Sequence, residues 1–455
     1  MHATTTIETL SPGDPGYDET RRIWNGAIDR RPSLIVRARN ADDVRWAVLH
    51  ARDRDLEIAV RGGGHSAAGH SVTDGGLMID LSPMKHVDVD PVTRRARVEP
   101  GVLLGELDRA TQEHGLAVPA GTVSHTGVAG LTRGGGIGWL MRKHGLTIDN
   151  LLEVEIVTAE GDVVRANADE EPELFWGVRG AGPNLGVVTS FEFQLHPVGP
   201  LVAGGPLLFP FEQAAEVLAR LHAVQGELHS ELGLAAVLLT VPPAPTFPPE
   251  LHGRRMLAIV PAWAGDLEHV DRALAPIRAL GEPVLDGFGP IPWLALQSML
   301  DQTAPHGLHQ RNFAEHLDSL GTDAVDGLLA GFDEVTHPMA HVALTLLGGA
   351  VEQVAPTATA FPHRDGAWVA WTIGMWRPEE DPEPHERWIA SMRDALRPHA
   401  AGGVYVNAIG ADEPNARVRA AFGPNWARLL QLKRAWDPEN VFRLNANIDP
   451  DSEAL

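Results

Sequence analysis

Hydrophobic and polar positions follow two rhythms over the first 198 residues. Short apolar runs predict strands at 33–36, 57–60, 77–81 and 95–98. Val44, Ala47 and Val48, one helical turn apart, predict a helix over 41–53. Asn40 precedes it as an N-cap, with a side-chain oxygen able to accept a first-turn N–H. A second helix is predicted over 103–114, stopped by Gly115. The runs 152–158 and 163–166 flank Gly161-Asp162, a tight-hairpin signal.

From about 200 to 400 the rhythm changes. Proline-rich breaks separate apolar runs at 237–241, 255–260, 342–347 and 368–375, which predict one antiparallel sheet. Helices are predicted across it at 215–224 and 267–280. Along 368–376, period two puts either Trp368, Thr372 and Trp376 or Trp371 and Met375 on the inner face, and period alone does not choose. A last helix is predicted at 425–436, ended by Pro438, before the amide-rich tail 442–450. The expected fold class is α+β in two domains. Residues 1–198 form the first, 199–400 the second (a sheet covered by helices), and 401–455 return to the first.

Composition narrows the chemistry. The 455 residues carry 44% hydrophobic and 21% charged side chains, an ordinary globular balance. The net charge of −23 weighs against nucleic-acid and membrane partners. With no cysteine, the chain has no disulfide, thiolate metal site or cysteine nucleophile. No metal site is expected. The N-terminal residues lack a basic start followed by an apolar stretch, and no apolar run is long enough to span a bilayer, so a soluble cytoplasmic protein is the expectation.

Two glycine-dense segments carry the candidate chemistry: Arg61-Gly62-Gly63-Gly64-His65-Ser66, and residues 127–138, GVAGLTRGGGIG. Consecutive glycines let backbone N–H groups converge on an anion such as a pyrophosphate, although two tight turns would read the same way. The dinucleotide and P-loop glycine signatures are absent, as are HExxH and the G-x-S-x-G elbow. The run His337-Pro338-Met339-Ala340-His341 has paired histidines but no glutamate and reads as a loop.

Three long stretches, VRGGGHSAAGHSVTDGGLMIDLS, VPAGTVSHTGVAGLTRGGGIGWLMRKHGLTIDNLLEVEIVTAEGDV and PELFWGVRGAGPNLGVVTSFEFQL, resemble the FAD-binding domain of the berberine-bridge-enzyme-like oxidases. These belong to the wider vanillyl-alcohol-oxidase, or PCMH-type, flavoproteins. Tyr405-Val406-Asn407 and LLQLKRAWDPENVFRLNANIDP resemble the family's closing segment, and the likeness spans nearly the whole chain.

The resemblance implies a discontinuous PCMH-type fold and an FAD held by one covalent bond. The linking residue falls on His65, whose neutral imidazole would attack the flavin 8-methyl carbon. Val123 occupies the place of the cysteine that forms a second bond in bicovalent members. The cofactor-binding set it implies includes Arg61, Gly62, Gly63, Gly64, Ser66, Gly69, His70, Thr122 and Val123 from the first half of the loops. From the second half it includes Gly127, Gly130, Gly134, Gly135, Gly136, Gly138, Ile156, Asn407, Asn445 and Asn447, with Ile448 beside Asn447 at the flavin's pyrimidine edge. Thr126 falls beside the flavin's reactive edge, where it either hydrogen-bonds an oxygen species or only shapes the cavity. Tyr405, one of two tyrosines, is the phenol candidate for proton transfer, with a buried structural tyrosine as the alternative. Asp149 and Asn150 are expected to order a loop. Arg133 departs from the family pattern; it either reaches the pyrophosphate or faces solvent, and it is assigned no role.

The implied activity is hydride transfer from a small aromatic or hydrophobic alcohol, amine or secondary metabolite to flavin N5, with O2 reoxidising the flavin to give hydrogen peroxide. A flavin dehydrogenase using another acceptor and a non-catalytic flavin-binding protein are the rival classes. A homodimer is admitted as an oligomeric state.

Overall fold

A computed structural model describes residues 7–245, 247–410 and 413–453. The first six residues, part of the stretch read as lacking a secretory pattern, lie outside them. Among the described residues, no helix is long and apolar enough to cross a membrane.

The first domain holds two sheets. In the four-stranded one, Glu8–Leu10 pairs antiparallel with Leu34–Arg37, which runs parallel to Leu77–Asp80, itself parallel to Ile58–Arg61. The helix Ala41–Arg52 buries Val44, Ala47, Val48 and Ala51 against this sheet. Asn40 caps it as expected, its Oδ1 accepting the Asp43 N–H at 2.9 Å. The second sheet is antiparallel, in the order Val87–Asp90, Arg95–Val98, Val187–Gln194, Leu151–Val157, Val163–Asn167. Its last two strands form the expected hairpin, with Gly161 at φ +81° in the turn.

The second domain is one large antiparallel sheet. Its main path runs Leu285–Asp286, Leu207–Pro210, Arg255–Trp263, Leu232–Thr240, His341–Leu346, Trp368–Trp376, His309–Leu317. The helices Ala214–Val224, Val270–Arg278, Thr322–Asp333 and Pro382–Leu396 cover one face. Beneath them Trp368 and Trp376 are buried with Phe332, Trp388 and Met392. The opposite face turns toward the first domain.

After residue 400 the chain returns. The helix Trp426–Trp436 buries Leu429 and Leu430 in the same core as Phe191 and Phe193 of the first domain. Behind it, the fully buried Lys433 ammonium meets the Asp437 carboxylate at 2.6 Å and donates to the Asn184 and Phe442 carbonyls at 3.0 Å each. The bond to Asn184 ties the closing segment to the loop before Val187–Gln194.

Several elements escape the hydrophobic pattern, among them the strands Val187–Gln194, Leu207–Pro210 and His309–Leu317 and the helices Pro172–Val178, Thr322–Asp333 and Pro382–Leu396. The run 337–341 is only partly a loop, because His341 opens a strand. There it pairs with Ile373.

Candidate active site

The strand Ile58–Arg61 delivers the chain into Gly62–Gly63–Gly64–His65, and Gly127 opens the second glycine segment directly against it. A Cβ built on Gly63 would lie 2.4 Å from the Gly127 Cα, and one on Gly127 would lie 2.4 Å from the Gly63 nitrogen. Both contacts are backbone, so nothing there can move aside. The two glycine segments therefore pack as one floor, which the sequence pattern treats as two separate loops.

This floor, the sheet of the second domain and the returning tail enclose a cleft with a cavity volume of about 420 Å³. That lies within the size range of ligand sites. Of the expected residues, Gly62, Gly63, Gly64, His65, Ser66, His70, Thr122, Val123, Thr126, Gly127, Gly130, Gly138, Tyr405, Asn407 and Asn445 line it.

The others do not. Ile156 is buried in the first-domain core, paired with Val188. Arg61 turns away to donate to the Thr20 carbonyl. Gly69 and Asn447 are not among the residues that line the cleft. Gly134, Gly135 and Gly136 form instead a socket for the Tyr405–Asn407 segment. A Cβ on Gly134 would strike Asn407 Oδ1 at 2.1 Å, and the Gly136 N–H donates to the Tyr405 phenol oxygen at 3.1 Å.

His65 sits at the tip of the first loop, its ring stacked on Trp24 with centroids 4.0 Å apart. The His125 ring lies 5.1 Å from it, and the exposed His306 lies 4.8 Å beyond His125. Burial, aided by the neighbouring imidazoles His125 and His306, pulls the His65 pKa down to about 3. The ring is neutral at pH 7 and keeps a lone pair for bond formation. Its Nε2 is buried without a hydrogen-bond partner among the described residues.

Tyr405 is buried, with Trp371 edge-on at 5.2 Å. Its oxygen also accepts the Asn407 Nδ2 donor at 3.1 Å. Burial raises its pKa against those donors, so it stays a phenol. Thr126 holds the floor through its backbone, donating to Val123 and accepting from Leu104. Asp149 is gripped by two Arg364 hydrogen bonds of 2.7 and 2.9 Å and accepts the Leu146 N–H. Asn150 donates to the His144 and Leu146 carbonyls. Both order their loop.

Arg133 faces neither solvent nor cleft. It is buried, donates one hydrogen bond to the Gly186 carbonyl at 2.8 Å, and leaves Nε and Nη2 unpaired among the described residues.

Along Trp368–Trp376, Trp371 and Ile373 reach the cleft while Trp368, Thr372 and Trp376 go beneath the helices. Trp24, His125 and His341 were not marked as site residues by the sequence. Trp24 comes from an N-terminal segment without a pattern, and its place is set by donation to the distant Ala304 carbonyl at 2.8 Å.

The residues present suit an FAD. His65 Nε2 and the Asn445 carbonyl oxygen, both in residues lining the cleft, are buried and unpaired among the described residues, and the glycine floor leaves backbone N–H groups for phosphate.

A family model described as an FAD binding domain matches residues 32–167, and one described as berberine and berberine like matches 404–449. An FAD-linked oxidoreductase of Dictyostelium discoideum is 33% identical over 94% of this chain and 91% of its own. The chain belongs to the berberine-bridge-like FAD-linked oxidoreductases. Within this family, (R)-6-hydroxynicotine oxidase of Paenarthrobacter nicotinovorans is 32% identical over 98% of this chain and 97% of its own. The crystal structure of 6-hydroxy-D-nicotine oxidase from Arthrobacter nicotinovorans superposes with a TM-score of 0.88 at 29% identity, covering 98% of each chain. A Physcomitrella patens BBE-like protein shares the fold, with a TM-score of 0.88 at 24% identity over 98% of each chain. The berberine-bridge-like chain described here is thus an FAD-linked enzyme with the two-domain α+β fold of that family.

Proposed function

We propose that this enzyme is an oxidase carrying its FAD through a single covalent bond to His65. It takes hydride from a small aromatic or hydrophobic alcohol or amine and passes the electrons to O2. The observation that carries the reading is His65 itself: a neutral, half-buried imidazole whose Nε2 is buried and unpaired among the described residues, stacked on Trp24 at the tip of the glycine floor. The names of the relatives support oxidase chemistry, including oxidation of 6-hydroxynicotine.

When bound, FAD accepts the hydride and is reoxidised by O2. The rest falls to the chain. Gly62, Gly63, Gly64 and Ser66 hold the cofactor from the first loop, with Gly127, Gly130 and Gly138 from the second. Asn445 offers the cofactor its unpaired carbonyl oxygen as an acceptor, its Nδ2 being held by the Pro183 and Phe442 carbonyls, and Val123 leaves the second attachment position without a nucleophile. Tyr405 has its oxygen engaged by two N–H donors, so its own proton is what it offers a substrate or cofactor oxygen. Thr126 shapes the cavity at the reactive edge.

The domain division is 1–198 with 401–455, and 199–400. The acidic chain supports a cytoplasmic, soluble enzyme without nucleic-acid or membrane partners, working as a monomer or homodimer.

The test is a panel of aromatic alcohols and amines given to the purified holoenzyme. An oxidase consumes O2 and forms one hydrogen peroxide per substrate oxidised. Flavin reduction in the absence of air that O2 fails to reverse would make the enzyme a dehydrogenase, and no reduction by any compound would favour a flavin-binding protein.

A further inference from the structure

The cleft of this strongly acidic chain is lined, among its described residues, by no Asp, Glu, Lys or Arg. A charged substrate entering it would lose its hydration with no counter-ion in return, at a cost of several kcal/mol, about 4 or more. The second-domain wall is mostly apolar, with Trp371, Ile373 and Ala343 facing inward.

Four polar side chains interrupt that wall, Thr303, Asn312, His341 and Thr345, and the sheet register puts Asn312 and His341 in one row. His341 pairs with Ile373 on one side, and Asn312 pairs with the same Ile373 on the other. Two inter-strand steps separate them, so their Cα atoms are about 10 Å apart. Asn312 Oδ1 is buried with no partner among the described residues.

His341 is more specific still. Its Nδ1 lies 2.9 Å from the Met339 carbonyl. A carbonyl only accepts, so Nδ1 must carry the proton. In the neutral ring, Nε2 is then a bare lone pair, without a hydrogen-bond partner among the described residues. Burial lowers the His341 pKa, which favours that neutral form.

We propose that His341 is the substrate-anchoring residue, its Nε2 accepting a hydrogen bond from the O–H or N–H of an uncharged aromatic substrate packed on Trp371 and Ile373. Asn312 is the second polar contact, across Ile373. The inference rests on the flavoenzyme reading and narrows its substrate class: neutral molecules with a donor are taken, and their ethers and carboxylates are not.

Calorimetry on the holoprotein tests this with three probes, 2-naphthol, 2-methoxynaphthalene and 2-naphthoate. The native enzyme should bind 2-naphthol about fivefold more tightly than the methyl ether, the worth of one net hydrogen bond, and should bind the carboxylate least. His341→Phe should equalise 2-naphthol and the ether, whereas His341→Gln, which keeps an acceptor oxygen, should retain part of the preference. The same preference in native enzyme and His341→Phe, tightest binding of the carboxylate, or binding of no probe would overturn the proposal. The flavin absorbance of each sample separates the two readings. A colourless native protein contradicts the flavoenzyme, while a yellow one without the naphthol preference contradicts only the anchor.

Discussion

Asp108 has the most consequential side-chain environment outside the cleft. It lies on the helix Leu104–Gln112 of the first domain and is buried against the Trp293–Gln297 helix of the second. Trp293 Nε1 and Gln297 Nε2 donate to it at 3.3 and 3.1 Å, which favours the carboxylate, but burial outweighs them and lifts its pKa to about 7. Gln297 Oε1 has no partner among the described residues, as suits a neighbour that can also donate. Between the ordinary carboxyl pKa of 3.8 and about 7, the folded chain holds this proton and the unfolded chain does not. Stability from Asp108 is therefore full at acid pH and is lost as pH rises through 7. Asp108→Asn, neutral throughout, should raise stability at pH 8.5 by about 1–2 kcal/mol and change it little at pH 4. Urea unfolding midpoints of the two proteins at both pH values would show it, and a gain independent of pH would contradict the assignment.

What was legible at this scale followed local chemistry. His65 and the glycines announce themselves because a run of three glycines before a histidine is costly in any ordinary turn. Trp24, His125 and His341 do not, because their meaning comes from partners far along the chain. Trp24 needs residue 304, and His341 needs Ile373. Ile156 stands outside the cleft for the opposite reason: its strand is right, but its side chain points into the core.

At the scale of elements, the contact between Gly62–Gly64 and Gly127 governs whether the floor exists. Gly63→Ala would put a methyl carbon 2.4 Å from the Gly127 Cα, and neither backbone can yield without parting the loops. The expected result is a folded chain with a much reduced flavin-to-protein absorbance ratio. Gly226→Ala, which meets nothing within 4 Å, should keep the native ratio. Native flavin content in Gly63→Ala would show that the loops separate without affecting the cofactor. The hairpin around Gly161 and the helix after Asn40 were readable because turn and cap residues act locally. The strand His309–Leu317 was not, since its second half, 313–317, is buried on both faces and includes Glu315 and His316, so period two is lost. Glu315 is tolerated there because Arg417, from the returning segment, reaches it at 2.7 Å.

Across the whole molecule, the two domains meet around the cleft through short polar clamps. Asp301 of the second domain accepts the Ser124 N–H at 2.7 Å and its hydroxyl at 2.6 Å, beside Val123. Asn25 bridges the Ala67 and Gln310 carbonyls at 2.7 and 3.1 Å. The glycine floor is thus held by one domain and roofed by the other, with Trp371 and His65 both lining the cleft between them. The central claim is that His65 carries FAD. Intact-mass and visible-spectrum analysis of the purified protein before and after acid denaturation, alongside His65→Ala, tests it most directly. The account predicts that yellow colour and one FAD of added mass survive denaturation on a peptide containing His65, and that neither survives in His65→Ala. Free release of flavin from the native chain, or a retained adduct in His65→Ala, would contradict it.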